Sequence, residues 1–185
     1  MSNIIEEVRK FVEEECKKPE SKYGYEPYIN HFIPTAGYVK ILAEKLNADK
    51  EIVEIAAWLH DIGSIIYGRE NHHITGMQIA EKKLKELGYP KNKIERVKKC
   101  IFTHRGSQGI KPETKEAQIL NDADAMNAFD HIEGQFYAAF VSEKLNQEKA
   151  RKSVKKKIED CYNKLSEEAR EIIKNKYEAA MLLLK

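Results

Sequence analysis

The residues of this chain best suited to chemistry are an adjacent histidine and aspartate, His60 and Asp61, which follow an apolar run and precede Gly63. An imidazole nitrogen and a carboxylate oxygen side by side at the mouth of an apolar segment can hold a divalent metal ion. A His-Asp pair also arises by chance on protein surfaces. The pair therefore indicates a metal site only if further ligands lie at helix ends or on apolar faces elsewhere in the chain.

Three other polar side chains occupy such positions. His31 lies in the first turn of a predicted helix, His104 ends an apolar helix face, and Asp122 lies between Ile119 and Met126 on an apolar stripe. A lone carboxylate that faces a core costs several kcal/mol unless a metal ion, a salt bridge or a cap compensates it. One further histidine, the His60-Asp61 pair and the distant Asp122 would supply two imidazoles and two carboxylates from three helices, which form a mixed N/O shell. Such a shell suits Fe, Mn, Co, Ni, Zn or Mg better than a thiolate site does.

The elements that must position these side chains are predicted helices, because apolar residues recur at helical spacing along the chain. Asn30 is predicted to cap one helix, with Pro34 in its first turn. Asp49 is predicted to cap the next, and Gly63 to end it. A further helix is predicted from Asn71, as its cap, to about Gly88. Others are predicted at 3–17, at about 91–104, from Thr114 onward, and two or three times within 130–185, with a loop at 105–112. Because strand alternation and internal repeats are absent from the pattern, we expect one all-α domain over residues 1–185.

Composition limits the partners and the compartment. Charged residues make up 34 % of the chain and apolar residues 42 %, with a formal net charge of only +2. The Lys-rich stretch 152–157 has acidic neighbours and is predicted to be a solvated helix face, so a nucleic-acid partner is not expected. Cys16, Cys100 and Cys161 form no CxxC unit and indicate reduced thiols. With neither a signal-like N-terminus nor a membrane-length apolar run, we expect a cytoplasmic protein with no membrane partner.

The ordered residues His31, His60-Asp61 and Asp122 resemble the H…HD…D signature of the HD-domain metal-dependent phosphohydrolases. The surrounding sequence segments are similar as well: Ala-Ala-Trp-Leu-His-Asp-Ile-Gly at 56–63, His-His-Ile-Thr-Gly at 72–76, Thr-His-Arg at 103–105 and Ile-Leu-Asn-Asp-Ala-Asp at 119–124. The resemblance covers about residues 30–130 and leaves 131–185 undecided. It implies an all-α bundle, one or two divalent metal ions, and water that attacks a phosphate ester or anhydride. It also implies that His31, His60, Asp61 and Asp122 hold the primary metal, with Asp61 and His60 at the catalytic centre.

The resemblance also gives roles to residues outside the signature. His72 precedes Gly76 by four residues, and His104 stands where a later histidine of the dinuclear branches would stand. These two histidines are expected to bind a second metal or phosphate, with capping and packing as the alternative. His73 could replace His72 or contact substrate. Arg105 is a candidate phosphate contact, because a guanidinium binds phosphate in a bidentate manner, although an exposed loop arginine fits equally.

Departures from the family pattern narrow the expected substrate. Ser64 stands where several branches carry a basic residue, and Asn127 where many relatives carry another aspartate. No extension like that of the cyclic-di-GMP phosphodiesterases follows His104, so this substrate is disfavoured.

The favoured hypothesis is a phosphohydrolase acting on a nucleotide or another phosphorylated small molecule, with monoester, diester and pyrophosphate cleavage all open. The alternative is a metal- or nucleotide-binding regulatory module with little or no turnover. A third hypothesis is a helical interaction protein with incidental histidines. The leucine-rich end of the chain fits either packing on the core or a homodimer contact.

Overall fold

The computed structural model describes residues 3–105, 109 and 111–185, and all regular structure among these residues is helical. The α-helices are α1 (Ile4–Lys17), α2 (Ile33–Lys45), α3 (Lys50–Leu59), α4 (Ile62–Tyr67), α5 (His72–Glu86), α6 (Lys91–Thr103), α7 (Lys115–Asn127), α8 (Ile132–Tyr137), α9 (Gln147–Lys164) and α10 (Glu167–Leu183). The all-α prediction is confirmed. Across the described residues, no helix has the length and apolar character needed to cross a membrane.

The chain divides into two compact units, Met1–Asn121 and Asp122–Lys185, with α7 running from the first into the second. In the first unit, α5 packs on α4 and α6, while α3 packs on α1, α2 and α6. Its fully buried side chains include Val8, Phe32, Leu42, Ile52, Leu59, Ile62, Leu84, Ile94 and Ile101. These contacts bring together the ends of α3, α5 and α6, where three of the candidate ligands lie. The single-domain expectation stays a prediction.

The second unit contains the three α-helices that follow α7, within the number expected for residues 130–185. Asn146 caps α9 by accepting the Lys149 N–H at 3.0 Å, and Ser166 caps α10 by accepting the Ala169 N–H at 3.3 Å. The rings of Tyr162 and Tyr177 stack at 3.8 Å in this unit. Leu182 and Leu183, at the end of α10, are largely exposed. The expected homodimer contact stays a prediction.

The start of the helix after the first loop differs from the sequence prediction. Asn30 does not cap it, because Asn30 lies inside a π-helical turn, Tyr28–Phe32, and α2 begins only at Ile33. The Ile33 N–H donates to the Tyr28 carbonyl across this wider turn. Pro34 has no N–H to donate to the Asn30 carbonyl, so an ordinary α-helical turn would lack one of its bonds here. His31 is therefore presented from a π-helical turn.

The role predicted for Gly63 is also corrected. Helix α3 already ends at Leu59, and Gly63 lies in the first turn of α4 rather than at a helix stop. A Cβ at Gly63 would lie 2.5 Å from Thr75 Oγ1 and 2.7 Å from Gly76 N, both on α5. Glycine is thus required by the close approach of two helices. This contact fixes the beginning of α5 against the segment that follows Asp61.

Of the two remaining predicted caps, Asp49 is confirmed and Asn71 is wrong. Asp49 caps α3 through its side chain, which accepts the Ile52 N–H at 3.3 Å. Asn71 directly precedes α5 but has a left-handed backbone (φ 52°) and makes no side-chain capping bond. The predicted loop 105–112 includes Gly106, Ser107, Gln108 and Ile110, which lie outside the described residues.

Candidate metal centre

Asp61 lies between α3 and α4 and faces four imidazole rings of the first unit. Its Oδ2 atom is 3.3 Å from His31 Nε2 and 3.8 Å from His60 Nε2. Its Oδ1 atom is 3.2 Å from His72 Nε2 and 3.5 Å from His104 Nε2. One carboxylate is therefore shared by two pairs of histidines, with one oxygen directed to each pair.

The four histidines come from separate elements whose ends meet at Asp61. His31 is presented by the π-helical turn, His60 by the residue after α3, His72 by the first residue of α5, and His104 by the residue after α6. Helix ends suit such a site because the backbone N–H and C=O groups of the terminal turns lack partners within the helix and can bind nearby side chains. The four rings therefore lie close to one another at helix ends and a helical turn, and their role as metal ligands stays a prediction.

Three of the rings have their tautomer fixed by the backbone. The Nδ1–H of His60 donates to the Ala57 carbonyl at 2.8 Å, and that of His72 donates to the Arg69 carbonyl at 2.8 Å. The Nδ1–H of His104 donates to the carbonyl of Ile101. A carbonyl oxygen can only accept, so in each neutral ring the proton is on Nδ1 and the lone pair is on Nε2. All three therefore offer Nε2, the atom that faces Asp61, to a metal ion.

The donor spacing supports a cation at this site. His72 Nε2 and His104 Nε2 lie 3.0 Å apart, and two lone pairs at this distance repel unless a proton or a cation lies between them. His31 Nε2 and His60 Nε2 lie at a similar distance, 2.9 Å. Ligands at right angles around an ion with bonds of about 2.1 Å are about 3 Å apart. Nitrogen and oxygen donors at this spacing fit a borderline or hard divalent ion.

The electrostatics of the site favour the metal-binding protonation states. Burial raises the pKa of Asp61, but the neighbouring imidazoles of His60, His104 and His31 outweigh it and hold this pKa well below its usual range. Burial lowers the pKa of His72, although the charge of Asp61 opposes this effect. An ionised carboxylate and a neutral imidazole are the forms that coordinate a metal.

Ser64 has a role at the site that the sequence pattern did not reveal. Its buried hydroxyl donates to Asp61 Oδ1 at 3.4 Å, on the oxygen that faces His72 and His104. The sequence comparison marked Ser64 only as a missing basic residue. The signal that could have found it is its spacing of three residues from Asp61, which places both side chains on one side of a helical turn.

Asp122 is buried as predicted, with 1 % of its surface exposed. Within the second unit, its Oδ1 atom accepts the backbone N–H of Ser166 at 3.1 Å, at the beginning of α10. This bond is one of the compensations that a buried carboxylate requires. Because Asp122 belongs to the other compact unit, its part in binding the primary metal stays a prediction.

The two predicted substrate contacts, His73 and Arg105, lie next to candidate ligands. His73 is 2 % exposed, and its ring packs against Phe102 at 5.6 Å between centroids. Arg105 Nη1 is 3.4 Å from His73 Nδ1. Burial and the positive charge of Arg105 lower the pKa of His73. Their contact with a substrate stays a prediction.

Tyr28, at the beginning of the π-helical turn that carries His31, packs in an aromatic cluster. Tyr28 is buried between Tyr25, at 5.3 Å, and Trp58, at 5.9 Å, in an aromatic stack. Arg9 Nη1 donates to the Tyr28 hydroxyl at 2.7 Å. Tyr28 therefore serves the packing of the first unit.

Comparison with known proteins identifies the family. The HD domain family model matches residues 28–128, more than half of the chain, and the chain belongs to this family. A solved structure of a predicted HD superfamily hydrolase from an uncultured Thermotogales bacterium is 26 % identical, with a TM-score of 0.59, over 85 % of this chain and 84 % of that one. The family assignment made from the H…HD…D resemblance is confirmed.

Two further relatives define the extent of the similarity. Bacillus subtilis YpgQ, solved in complex with ADP, shares the fold at 21 % identity, with a TM-score of 0.71, over 97 % of this chain and 89 % of that one. An uncharacterized protein of Clostridium beijerinckii is 30 % identical over 103 residues, which are 54 % of this chain. The match spans 63 % of that relative, less than two thirds of its length.

Proposed function

We propose that this protein is a metal-dependent phosphohydrolase that acts on a nucleotide or another phosphorylated small molecule. The observation that carries the proposal is the sharing of Asp61 between the His31–His60 pair and the His72–His104 pair, one carboxylate oxygen facing each. This arrangement would suit two divalent ions held side by side. Membership of the HD domain family supports the same class of chemistry.

The residues of this chain would divide the work as follows. His31, His60 and Asp61 would hold one ion, and Asp61, His72 and His104 the other. Bound divalent ions supply a water of lowered pKa and neutralise the charge that develops on phosphate oxygens. Asp61 would supply one oxygen to each set of donors, and the Ser64 hydroxyl donates to its Oδ1 atom.

A nucleotide substrate is favoured over other phosphorylated molecules by one comparison. YpgQ, which has the same fold, was solved with ADP. The present chain has the same helical architecture over nearly its whole length, so a purine nucleoside diphosphate or triphosphate is the first substrate class to test.

The experiment combines a metal analysis with a substrate screen. Purified protein is loaded in turn with Mn²⁺, Mg²⁺, Co²⁺, Ni²⁺, Zn²⁺ or Fe²⁺ and incubated with p-nitrophenyl phosphate, bis-p-nitrophenyl phosphate and a nucleotide panel. We expect hydrolysis in the wild type and a loss of at least about 100-fold in Asp61→Asn, because loss of even an outer-shell partner costs about 10- to 100-fold. His131→Ala, a histidine of the second unit that pairs with Glu133, is the matched control and should keep activity. Nucleotide binding without turnover under every metal would overturn the proposal in favour of a regulatory module.

A further inference from the structure

The residues that follow two candidate ligands also contact each other. His73 follows His72 in the chain, and Arg105 follows His104. His72 lies against His104, and His73 lies against Arg105. His72 Nε2 is 3.0 Å from His104 Nε2, and His73 Nδ1 is 3.4 Å from Arg105 Nη1. The backbone adjacency thus places the guanidinium of Arg105 beside the second pair of metal-binding histidines.

The chemistry of the His73–Arg105 contact fixes the direction of its hydrogen bond. A guanidinium has only donors, so Nδ1 of His73 must accept, and the proton of this neutral ring is on Nε2. The ring is held by burial and by its packing against Phe102. One of the five N–H donors of Arg105 is used by His73. The side chain is half-buried, and its other four donors have the planar arrangement that suits phosphate.

We infer that His73 is a positioning residue that holds Arg105 in place, and that Arg105 binds a phosphate group of the substrate next to the His72–His104 pair. The inference rests on the proposed function, since it names the residue that receives the phosphate. It gives His73 a role different from direct substrate contact. A buried ring whose accepting nitrogen is used by an arginine orients that arginine instead of meeting the ligand itself.

Two substitutions of His73 separate positioning from packing. His73→Asn places a carbonyl oxygen close to the position of Nδ1 and can still accept from Arg105. His73→Gln places its polar group near the position of Nε2 and leaves the guanidinium without this partner. Arg105→Lys keeps the positive charge but loses the bidentate edge. Arg105 is only half-buried, so Arg105→Lys keeps the test decisive even if His73→Gln does not fold.

The measurement is the affinity of Mn²⁺-loaded protein for inorganic phosphate by isothermal titration calorimetry, with metal content determined on the same samples. We expect His73→Gln and Arg105→Lys to weaken phosphate binding by about tenfold, the effect of losing one charge-assisted hydrogen bond. His73→Asn should stay within about twofold of wild type because the acceptor is retained. Metal content should be unchanged in all three variants.

Unchanged phosphate affinity in His73→Gln and Arg105→Lys would overturn the inference, as would a wild-type protein that binds no phosphate. Loss of metal in these variants would also overturn it, because the residues would then support the ligands. Since calorimetry requires no turnover, the outcome is separate from that of the proposed function. A protein that hydrolyses nothing but shows the expected order of phosphate affinities would refute the hydrolase and support the inference.

Discussion

The Nε2 atoms of His72 and His104 lie 3.0 Å apart, while the Nδ1–H group of each ring is already donated to a backbone carbonyl. A proton or a cation must therefore separate the two lone pairs. His72, His104 and Asp61 would hold such a cation together, because their donor atoms lie near one another.

We therefore expect His72→Ala or His104→Ala to lose the ion bound by this pair while the ion at His31 and His60 is retained. Atomic emission analysis after dialysis measures the metal content per chain, which should fall by about half in either variant. His131→Ala should leave it unchanged. Loss of all metal in both variants would contradict the prediction, because the His31–His60 pair would then not retain an ion without the His72–His104 pair.

The ion pair between Glu81 on α5 and Lys98 on α6 joins the two helices that lead to His72 and His104. Glu81 accepts from Lys85 at 2.6 Å and from Lys98 at 2.7 Å, and these two partners lower its pKa from 4.5 to about 2. A lowered carboxyl pKa contributes stability that is present above pH 4.5 and is lost as the pH falls toward 2, because the unfolded chain takes up the proton first.

We expect Glu81→Gln to melt at a lower temperature than wild type near pH 7, with the difference shrinking as the pH falls through this window. Circular dichroism melts at a series of pH values measure it. Lys85→Ala, which leaves the bond to Lys98 intact, should show a smaller difference. A constant difference down to pH 2 would contradict the pairing.

The close packing of α4 on α5 predicts contrasting effects of two glycine substitutions. Gly63→Ala places a Cβ against the backbone of Gly76 and the side chain of Thr75, and should destabilise the protein by about 1–3 kcal/mol through overpacking. Gly37→Ala, at an exposed position of α2 with nothing within 4 Å of the new Cβ, should stabilise it by about 0.5–1 kcal/mol. Urea unfolding measures both. Equal effects of the two substitutions would mean that α4 and α5 do not meet at Gly63.

Two substitutions of Asp122 distinguish a contribution of its buried carboxylate to folding stability from a contribution to metal binding. Asp122→Ala removes the acceptor of the Ser166 N–H and should cost about 1–3 kcal/mol. Asp122→Asn keeps an oxygen acceptor but removes the charge, so we expect near-normal stability together with weaker metal binding. Asp124→Asn, two residues along the same helix, is the comparison. Metal retained in Asp122→Asn and lost in Asp124→Asn would move the ligand from the first aspartate to the second.

Local patterns in the sequence were sufficient to find the helices and much of the candidate site. The position of His60 and Asp61 at the end of an apolar run follows from helical periodicity, as does the burial of Asp122 on the stripe of α7. The Asp49 cap follows from side-chain chemistry that acts within one turn. Each of these features depends on residues that are near neighbours in the chain.

The features that the sequence did not predict depend on contacts between distant segments or on unusual backbone. Gly63 was interpreted as a helix stop because its contact with α5 is not visible in the local pattern. The side chain of Asn30 and the position of Pro34 predict a cap, but the π-helical turn that encloses Asn30 has no signal in the local pattern. The hydroxyl of Ser64 was overlooked because family comparison drew attention to the basic residue it replaces.

The carbonyls that receive the Nδ1–H groups of His60, His72 and His104 belong to the peptide backbone three residues before each ring. Many metal sites assign this orienting task to a carboxylate side chain, which a single point mutation can remove. Here every amino acid that preserves the local backbone supplies the same acceptor. Evolution can therefore exchange the side chains at Ala57, Arg69 and Ile101 without changing the orientation of the three rings, provided that the replacement packs on the same backbone.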